Sequence, residues 1–153
     1  MYKIILVPID GSKMADKAFK HALSVAKAFD AELLLLTVIP ENVVPAGAFT
    51  TWTHPTMIRR MINEIITTAR EQATDMLNEK MRECEKTNVK AVYKIVMGDA
   101  ASKIIEMANN KKMKVDLVIM GSVGLTGIQR LKTLGSVSRK VSEHVSCPIL
   151  IVR

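Results

Sequence analysis

Short apolar runs alternate along this chain with longer segments in which apolar residues recur every three or four positions. Short apolar runs bounded by turn residues are typical of buried strands. They occupy Lys3–Pro8, Ala31–Ile39, Val89–Val96, Val115–Met120 and Pro148–Val152. In the third run lysines alternate with apolar residues, which predicts a half-exposed strand at a sheet edge. The segments with helical spacing, which predict helices, span Lys13–Phe29, Thr56–Lys86, Ala100–Asn110 and Ser136–Val145.

The predicted strands and helices follow one another in the order βαβαβαβαβ. Near-continuous apolar strands joined by helices are typical of a parallel sheet that is covered on both faces. Because right-handed crossovers leave few topologies, we predict an α/β fold with a doubly wound, five-stranded parallel sheet and helices on both faces, which is Rossmann-like. In such sheets ligands bind beyond the carboxyl ends of the strands, where the winding direction reverses. The loops after the first, second and fourth strands are therefore the expected site.

Two helices carry further signals. Ser12 stands directly before the first helix, where a serine is suited to capping the free N–H groups. The second helix is long, and its apolar face is expected to run from Ile58 to Met81.

The composition fits a single domain over residues 1–153. The 153 residues are 48% hydrophobic and 24% charged, which is ordinary for a globular protein of this size. Within the domain, Pro40–Pro55 is a long loop of sixteen residues without clear periodicity. Loops of that length are lids, binding elements or disordered segments. A flap, a partner-contact element and a disordered insertion all remain open here.

The sequence argues against a membrane protein and against a nucleic-acid reader. No segment approaches the roughly 20 apolar residues of a membrane span, and the first apolar run is too short for a signal peptide, so we expect a cytoplasmic protein. The net charge is +7, and five basic residues against one acidic residue follow Ser122. Aromatic residues make up only 4%, whereas nucleic-acid readers usually add aromatic stacking platforms. A solvated surface or an anionic small ligand explains the basic excess.

The chemistry of the cysteines and histidines points to no catalytic or metal centre. Cys84 and Cys147 do not have metal-type spacing, and reduced, packed thiols are favoured over a disulfide. His21, His54 and His144 lie at unrelated positions, so no nucleophile and base can be paired. We therefore assign no catalytic residue and no metal ligand.

A glycine-rich segment, Gly121–Ser136, joins the fourth predicted strand to the last helix. It contains four glycines and two serines. Glycines let the backbone turn, adopt positive φ or approach a ligand closely. Gly135 and Ser136 open a helix, whose first N–H groups are unpaired and attract anions, and the hydroxyls of Ser136 and Ser138 can add hydrogen bonds. The segment is either a phosphate cradle or a plain turn in which Ser136 only caps the helix. Neither the P-loop nor the G-x-G-x-x-G pattern fits it.

The chain resembles the universal stress protein family over essentially its whole length. The resemblance is carried by "KIILVPIDGS", "LLLLTVIP", "VMGDAASKIIEMA" and "DLVIMGSVGLTGIQRLKTLGSVSRKVSEHVSCPILIVR". The nucleotide-binding branch of that family carries G-x2-G-x9-G-[ST] after the fourth strand and binds ATP there, whereas another branch lacks the motif. Gly121 and Gly124 match the first two glycines, and Gly135-Ser136 match the closing pair. Ten residues rather than nine separate Gly124 from Gly135, which leaves open whether this longer loop still binds phosphate.

The resemblance implies a role for each part of the site. Asp10 would reach the ribose or the nucleobase, and the main chain of Val38 would contact adenine. Pro8, Ile9 and Met120 would line the base pocket. The residues implied on the phosphate side are Gly121, Gly124, Gly135, Ser136, Val137 and Ser138. Arg130 and Lys132 are added as candidates on charge alone.

The resemblance also implies the adenine nucleotide alpha hydrolase-like form of the fold and a function. We expect an ATP-binding regulatory switch or sensor in stress response, with Mg²⁺ as the counter-ion of the nucleotide and with AMP or cyclic AMP as alternatives. At most weak ATP hydrolysis is expected. The family dimerises through its last strand, so a homodimer through "PILIVR" is expected. A dimeric interaction protein that binds no nucleotide and a slow adenine-nucleotide hydrolase remain open as alternatives.

Overall fold

The computed structural model describes residues 1–42, 54–125 and 133–153. All the predicted strands and helices are present, and their ends shift by at most two residues. In chain order they are β1 (Ile4–Pro8), α1 (Lys13–Phe29), β2 (Glu32–Ile39), α2 (Pro55–Lys86), β3 (Ala91–Met97), α3 (Ala100–Asn109), β4 (Leu117–Gly121), α4 (Ser136–His144) and β5 (Ile149–Val152). Most of the long loop predicted at 40–55, together with Gly127, Arg130 and Lys132, lies outside the described residues.

The five strands form one parallel sheet in the order β3-β2-β1-β4-β5. The chain winds outward from β1 in one direction to β3, and then returns to the other side of β1 to form β4 and β5. The doubly wound prediction is therefore confirmed, and the winding direction reverses between β1 and β4. The predicted edge position of β3 is confirmed as well, since Val92 and Tyr93 are 47% and 37% exposed.

Side chains that alternate along the strands build a separate core on each face of the sheet. One core packs α1 and α2 against residues such as Ile5 and Leu35. The other packs α3 and α4 against residues such as Leu6 and Val118. Because both faces are covered, the central strands β1, β2 and β4 are apolar except for Glu32 and Thr37, which explains the nearly continuous runs in the sequence.

A tight turn after β1 sets the start of α1. Gly11 adopts a positive φ of 79°, and the N–H of Ser12 donates to Asp10 Oδ1 over 2.9 Å. Ser12 is the N-cap, as predicted, because its Oγ accepts a hydrogen bond from the N–H of Ala15 over 3.1 Å. This turn holds Asp10 at the carboxyl edge of the sheet.

The apolar face of α2 is buried over only part of its expected length. Ala73, Leu77 and Cys84 are buried, whereas Met57 and Met61 are 63% and 45% exposed. The reason is length: 32 residues make a helix of roughly 48 Å, about twice the length of the strands beneath it. Among the helices of the described residues, none combines the length and the apolar character that a bilayer crossing requires.

Candidate functional site

A cleft opens at the carboxyl edge of the sheet, at the point between β1 and β4 where the winding reverses. About 150 Å³ of it is accessible to water-sized molecules. Its lining includes ten of the eleven residues that the resemblance implied for the site: Pro8, Asp10, Val38, Met120, Gly121, Gly124, Gly135, Ser136, Val137 and Ser138. The topology thus brings together residues from three separate stretches of the sequence.

Ile9 is the exception, because its side chain does not line the cleft. It is 2% exposed and belongs to the core beneath α1 and α2. Alternate residues of an extended strand face opposite sides of the sheet, so Pro8 and Ile9 cannot both face the cleft. Ile9 instead joins the end of β1 to β2. Its N–H donates to the carbonyl of Leu36 over 2.8 Å, and its carbonyl accepts a hydrogen bond from the Thr37 hydroxyl over 2.9 Å.

The first glycine of the segment is required by helix packing. A Cβ on Gly121 would lie 2.7 Å from Met14 Cβ and 2.8 Å from the Met14 carbonyl carbon. Only glycine therefore allows the first turn of α1 to approach the end of β4 this closely. Gly121 shapes the cleft, but its presence needs no ligand to explain it.

The second glycine brings the loop against the carboxylate of Asp10. A Cβ on Gly124 would lie 2.8 Å from Asp10 Oδ2. The other oxygen, Oδ1, is held by the N–H of Ser12. Among the described residues no donor contacts Oδ2, so the turn presents an oriented, exposed carboxylate oxygen at the cleft. Such an oxygen is suited to accept hydrogen bonds from ligand hydroxyls.

The start of α4 supplies N–H groups to the cleft. Gly135 is the N-cap and has no side-chain cap, so Ser136 is the first helical residue and not the cap. The first helical hydrogen bond runs from the N–H of Arg139 to the carbonyl of Gly135 over 3.0 Å. The N–H groups of Ser136, Val137 and Ser138 precede it, and all three residues line the cleft. Free N–H groups at a helix start attract anions.

A buried hydroxyl locks this helix start in place. Ser138 is 2% exposed, and its hydroxyl donates to the carbonyl of Ser122 over 2.7 Å, with the carbonyl of Gly135 at 3.1 Å. The N–H of Gly135 donates to the same Ser122 carbonyl over 2.8 Å. The expectation that the Ser138 hydroxyl can serve a ligand is therefore wrong, because the protein uses it. The backbone N–H of Ser138, which precedes the first helical hydrogen bond, remains at the cleft.

Part of the cleft lining is an apolar wall. It is formed by Pro8, Val38 and Met120 from the strands and by Ala100 and Ile104 from α3. A flat, weakly polar ring fits such a wall. Sequence reasoning missed the two α3 residues because the loop after β3 was left out of the expected site. The segment "GDAA" was the available signal, since it also follows the carboxyl end of a strand.

An ion pair joins α3 and α4 beside the cleft. Asp99 Oδ2 accepts from the N–H and hydroxyl of Ser102 over 2.9 and 2.6 Å, and Lys140 Nζ lies 3.3 Å away. The hydrogen bonds from Ser102, and then Lys140, lower the pKa of Asp99 to about 2. Asp99 is thus the N-cap of α3 and stays ionised. In residues 1–42, 54–125 and 133–153 no three His, Cys, Asp or Glu side chains group as metal ligands would.

Comparison with known proteins identifies the family. The model of the universal stress protein family matches residues 1–153. The chain is 35% identical to universal stress protein YxiE of Bacillus subtilis, and the match covers all of both chains. It is 34% identical to universal stress protein MJ0531 of Methanocaldococcus jannaschii, over all of this chain and 83% of the relative.

Solved structures agree with this assignment. Universal stress protein UspA from Lactobacillus plantarum has the same fold, with a TM-score of 0.84 at 24% identity over 99% of this chain and 98% of that one. Protein MJ0577 aligns with a TM-score of 0.79 at 31% identity over 99% of this chain and 96% of that one. The chain belongs to the universal stress protein family.

Proposed function

We propose that this protein binds an adenine nucleotide, with ATP as the natural ligand, in the cleft between β1 and β4 and acts as a nucleotide-dependent regulatory switch. The observation that carries the proposal is the uncapped start of α4, which faces the same cleft as an oriented carboxylate and an apolar wall. The apolar wall suits adenine, the carboxylate suits the ribose hydroxyls, and the helix start suits the phosphates.

Relatives with the same fold support the choice of an adenine nucleotide as the ligand. Universal stress proteins have been solved in complex with cAMP and, from Archaeoglobus fulgidus, with dAMP. A family member from Arabidopsis thaliana has been solved with AMP bound. These proteins align with this chain at TM-scores of 0.64 to 0.66 and at 15% to 24% identity. The three ligands share adenine and a phosphate, the groups that the apolar wall and the helix start would take.

The proposed arrangement follows from the placement of each group. The adenine ring packs between Val38 and Met120, and main-chain groups of Val38 bind its polar edge. Asp10 Oδ2 accepts hydrogen bonds from the ribose hydroxyls. The phosphates accept from the N–H groups that begin at Ser136. Magnesium would be held by the phosphates and by water, as is usual for nucleotide-bound Mg²⁺.

The first experiment measures binding and identifies the ligand. Isothermal titration calorimetry with ATP, AMP and cyclic AMP is expected to show one site per chain. Mass spectrometry is expected to detect an adenine nucleotide that is released when freshly purified protein is denatured. The variant Gly124→Asp sets a second carboxylate against Asp10 and the phosphates, so it is expected to abolish binding. Unchanged affinity in Gly124→Asp, or no binding of any of the three nucleotides to the parent protein, would contradict the proposal.

A further inference from the structure

The outer edge of β3 is open. β3 pairs with β2 on one side, and no other strand of residues 1–42, 54–125 and 133–153 pairs with its other side. Two hydrogen bonds show which backbone groups face β2. The carbonyl of Lys90 accepts from the N–H of Leu33 over 2.9 Å, and the N–H of Gly98 donates to the carbonyl of Ile39 over 3.0 Å. Every second residue from Lys90 to Gly98 therefore directs its N–H and its carbonyl toward β2.

The residues in between direct their backbone groups away from the sheet. They are Ala91, Tyr93, Ile95 and Met97. Their N–H groups and carbonyls form a row of alternating donors and acceptors that the described residues leave without a partner strand. Such a row is a template for pairing with a strand of another chain.

One face of this edge carries lysines at alternate positions. Side chains of successive strand residues point to opposite faces of the sheet, and Val96 belongs to the core beneath α3 and α4. Lys90, Val92 and Lys94 therefore lie on the face that α3 and α4 cover elsewhere. All three are exposed, so these two helices do not extend over the outer strand.

The turn after α3 adds three more lysines beside this face. Lys94 Nζ lies 3.8 Å from Met113 Sδ, which places the turn next to β3. Lys111, Lys112 and Lys114 surround Met113 in the sequence, and all three are exposed. We call the lysines at positions 90, 94, 111, 112 and 114 the basic edge. None of them takes part in the ion pairs formed among the described residues.

Acidic side chains beside the basic edge are few. The neighbouring elements on this face, β2 and α3, contain one acidic residue each, Glu32 and Glu106. The register of the strands sets Glu32 beside Lys90. Glu106 lies 2.9 Å from Lys103 of its own helix, and Asp99 at the start of α3 is in the ion pair with α4. The basic edge therefore keeps an excess of positive charge, which suits an acidic partner.

We infer that the basic edge binds an acidic, extended segment of a partner protein, which adds to the sheet as a sixth strand beside β3. The outward N–H groups and carbonyls of β3 pair with the backbone of the segment. Its acidic side chains lie beside Lys90 and Lys94, and its apolar side chains lie beside Tyr93 on the opposite face. The segment is thus one in which acidic and apolar residues alternate.

Two other kinds of occupant fit this edge less well. A second copy of the chain brings two basic edges together, and like charges on paired strands are destabilising. Phosphate groups of a nucleic acid or a lipid surface accept hydrogen bonds but donate none, so they leave the outward carbonyls of β3 unpaired. An acidic strand satisfies both the charges and the backbone groups.

Fluorescence anisotropy with labelled peptides tests the inference. The probe is a peptide of roughly eight residues, a common strand length, in which glutamate alternates with valine. It is expected to bind saturably, and more weakly at high salt. A peptide of the same composition with its glutamates grouped at one end is expected to bind at least about tenfold more weakly, because its acidic side chains do not share one face. Equal binding of the two peptides, tighter binding of single-stranded DNA, or no binding of the alternating peptide would overturn the inference.

Charge-reversal variants locate the bound peptide. Lys90→Glu combined with Lys94→Glu is expected to weaken binding of the alternating peptide at least about tenfold, since two attractions become repulsions. Lys20→Glu is the matched control, because Lys20 is an exposed lysine of α1, which packs on the opposite face of the sheet. This control is expected to bind like the parent protein. An equal loss in both proteins would place the peptide elsewhere and refute the inference.

Hydrogen exchange distinguishes an added strand from attraction by charge alone. In the free protein the amides of Tyr93 and Ile95 are expected to exchange fast, whereas that of Lys94 is protected by β2. The alternating peptide is expected to protect Tyr93 and Ile95. Tyr93→Pro removes one outward N–H, which an edge strand tolerates, and is expected to weaken binding more than Tyr93→Ala. If the peptide bound without protecting these two amides, the inference would be wrong, whether or not Tyr93→Pro folds.

Discussion

Replacing Ser136 by proline removes one N–H donor from the proposed phosphate site and leaves the helix intact. Proline is favoured at the first position of a helix, where its missing N–H has no helical partner. Gly135, which precedes it, has a ψ of 163°, and this extended conformation is the one that a residue before proline prefers. The first helical hydrogen bond starts only at Arg139, so none is lost. Compared with Ser136→Ala, which also lacks the hydroxyl, the substitution therefore isolates a single backbone group.

The expected loss of affinity follows from the kind of bond removed. A hydrogen bond to a charged group is worth about 1.5–3 kcal/mol. Since each 1.4 kcal/mol is a factor of ten, Ser136→Pro is expected to weaken ATP binding by about 10- to 150-fold. Ser136→Ala removes the hydroxyl and keeps the N–H, so it is expected to weaken binding only a few-fold.

Calorimetry with two ligands makes the test specific. Adenosine has no phosphate, so its affinity is expected to be the same in Ser136→Pro and in the parent protein. Lys13→Pro is the matched control, because it places proline at the first position of α1 after Ser12, whose ψ is 155°, and Lys13 does not line the cleft. If folded Ser136→Pro bound ATP as tightly as the parent, or if Lys13→Pro lost as much affinity, the helix start would not be the phosphate site.

Three further predictions concern stability and assembly. Gly121→Ala is expected to destabilise the fold by about 1–3 kcal/mol in urea unfolding, because its Cβ would overlap the first turn of α1, whereas Gly124→Ala, which meets only the end of a flexible side chain, should cost less. The folded-state pKa of Asp99 is about 2, below its ordinary value near 4, so its stabilisation is present above pH 4 and is lost as the pH falls toward 2. Because the group is exposed, this loss is expected to be at most about 1 kcal/mol and to be absent in Asp99→Asn; an equal loss in both proteins would assign it elsewhere. Leu150 is 40% exposed on edge strand β5, so Leu150→Lys is expected to prevent the dimer that the family resemblance implies through the last strand. Val92→Lys on the opposite edge is the control, and light scattering that shows equal masses for both variants would exclude that dimer.

The sequence predicted the fold well because its three central strands are buried on both faces. Continuous apolar runs such as the one in β2, when they alternate with helices, rarely indicate a structure other than a parallel sheet that is covered on both faces. The reversal of winding between β1 and β4 then follows from chain order, and with it the approach of Asp10 to the glycine-rich segment. The position of the cleft was thus predictable from the sequence.

Other features could not be read from residue types because they depend on which way each group points. Strand alternation turns Ile9 into the core although both of its neighbours are at the cleft. The hydroxyl of Ser138 binds the carbonyl of Ser122, and a sequence does not distinguish a hydroxyl used internally from one left free. The apolar face of α2 was visible in the sequence, but only the length of the sheet determines how much of it is covered.

The proposed function depends on phosphate binding by the N–H groups at the start of α4. Nitrogen-15 NMR of the labelled protein, titrated with ATP and in parallel with adenosine, measures this most directly. We expect the amide resonances of Ser136, Val137 and Ser138 to shift with ATP in a saturable way and to shift far less with adenosine. Saturable ATP binding that leaves those three resonances in place, or no binding of ATP at all, would contradict it.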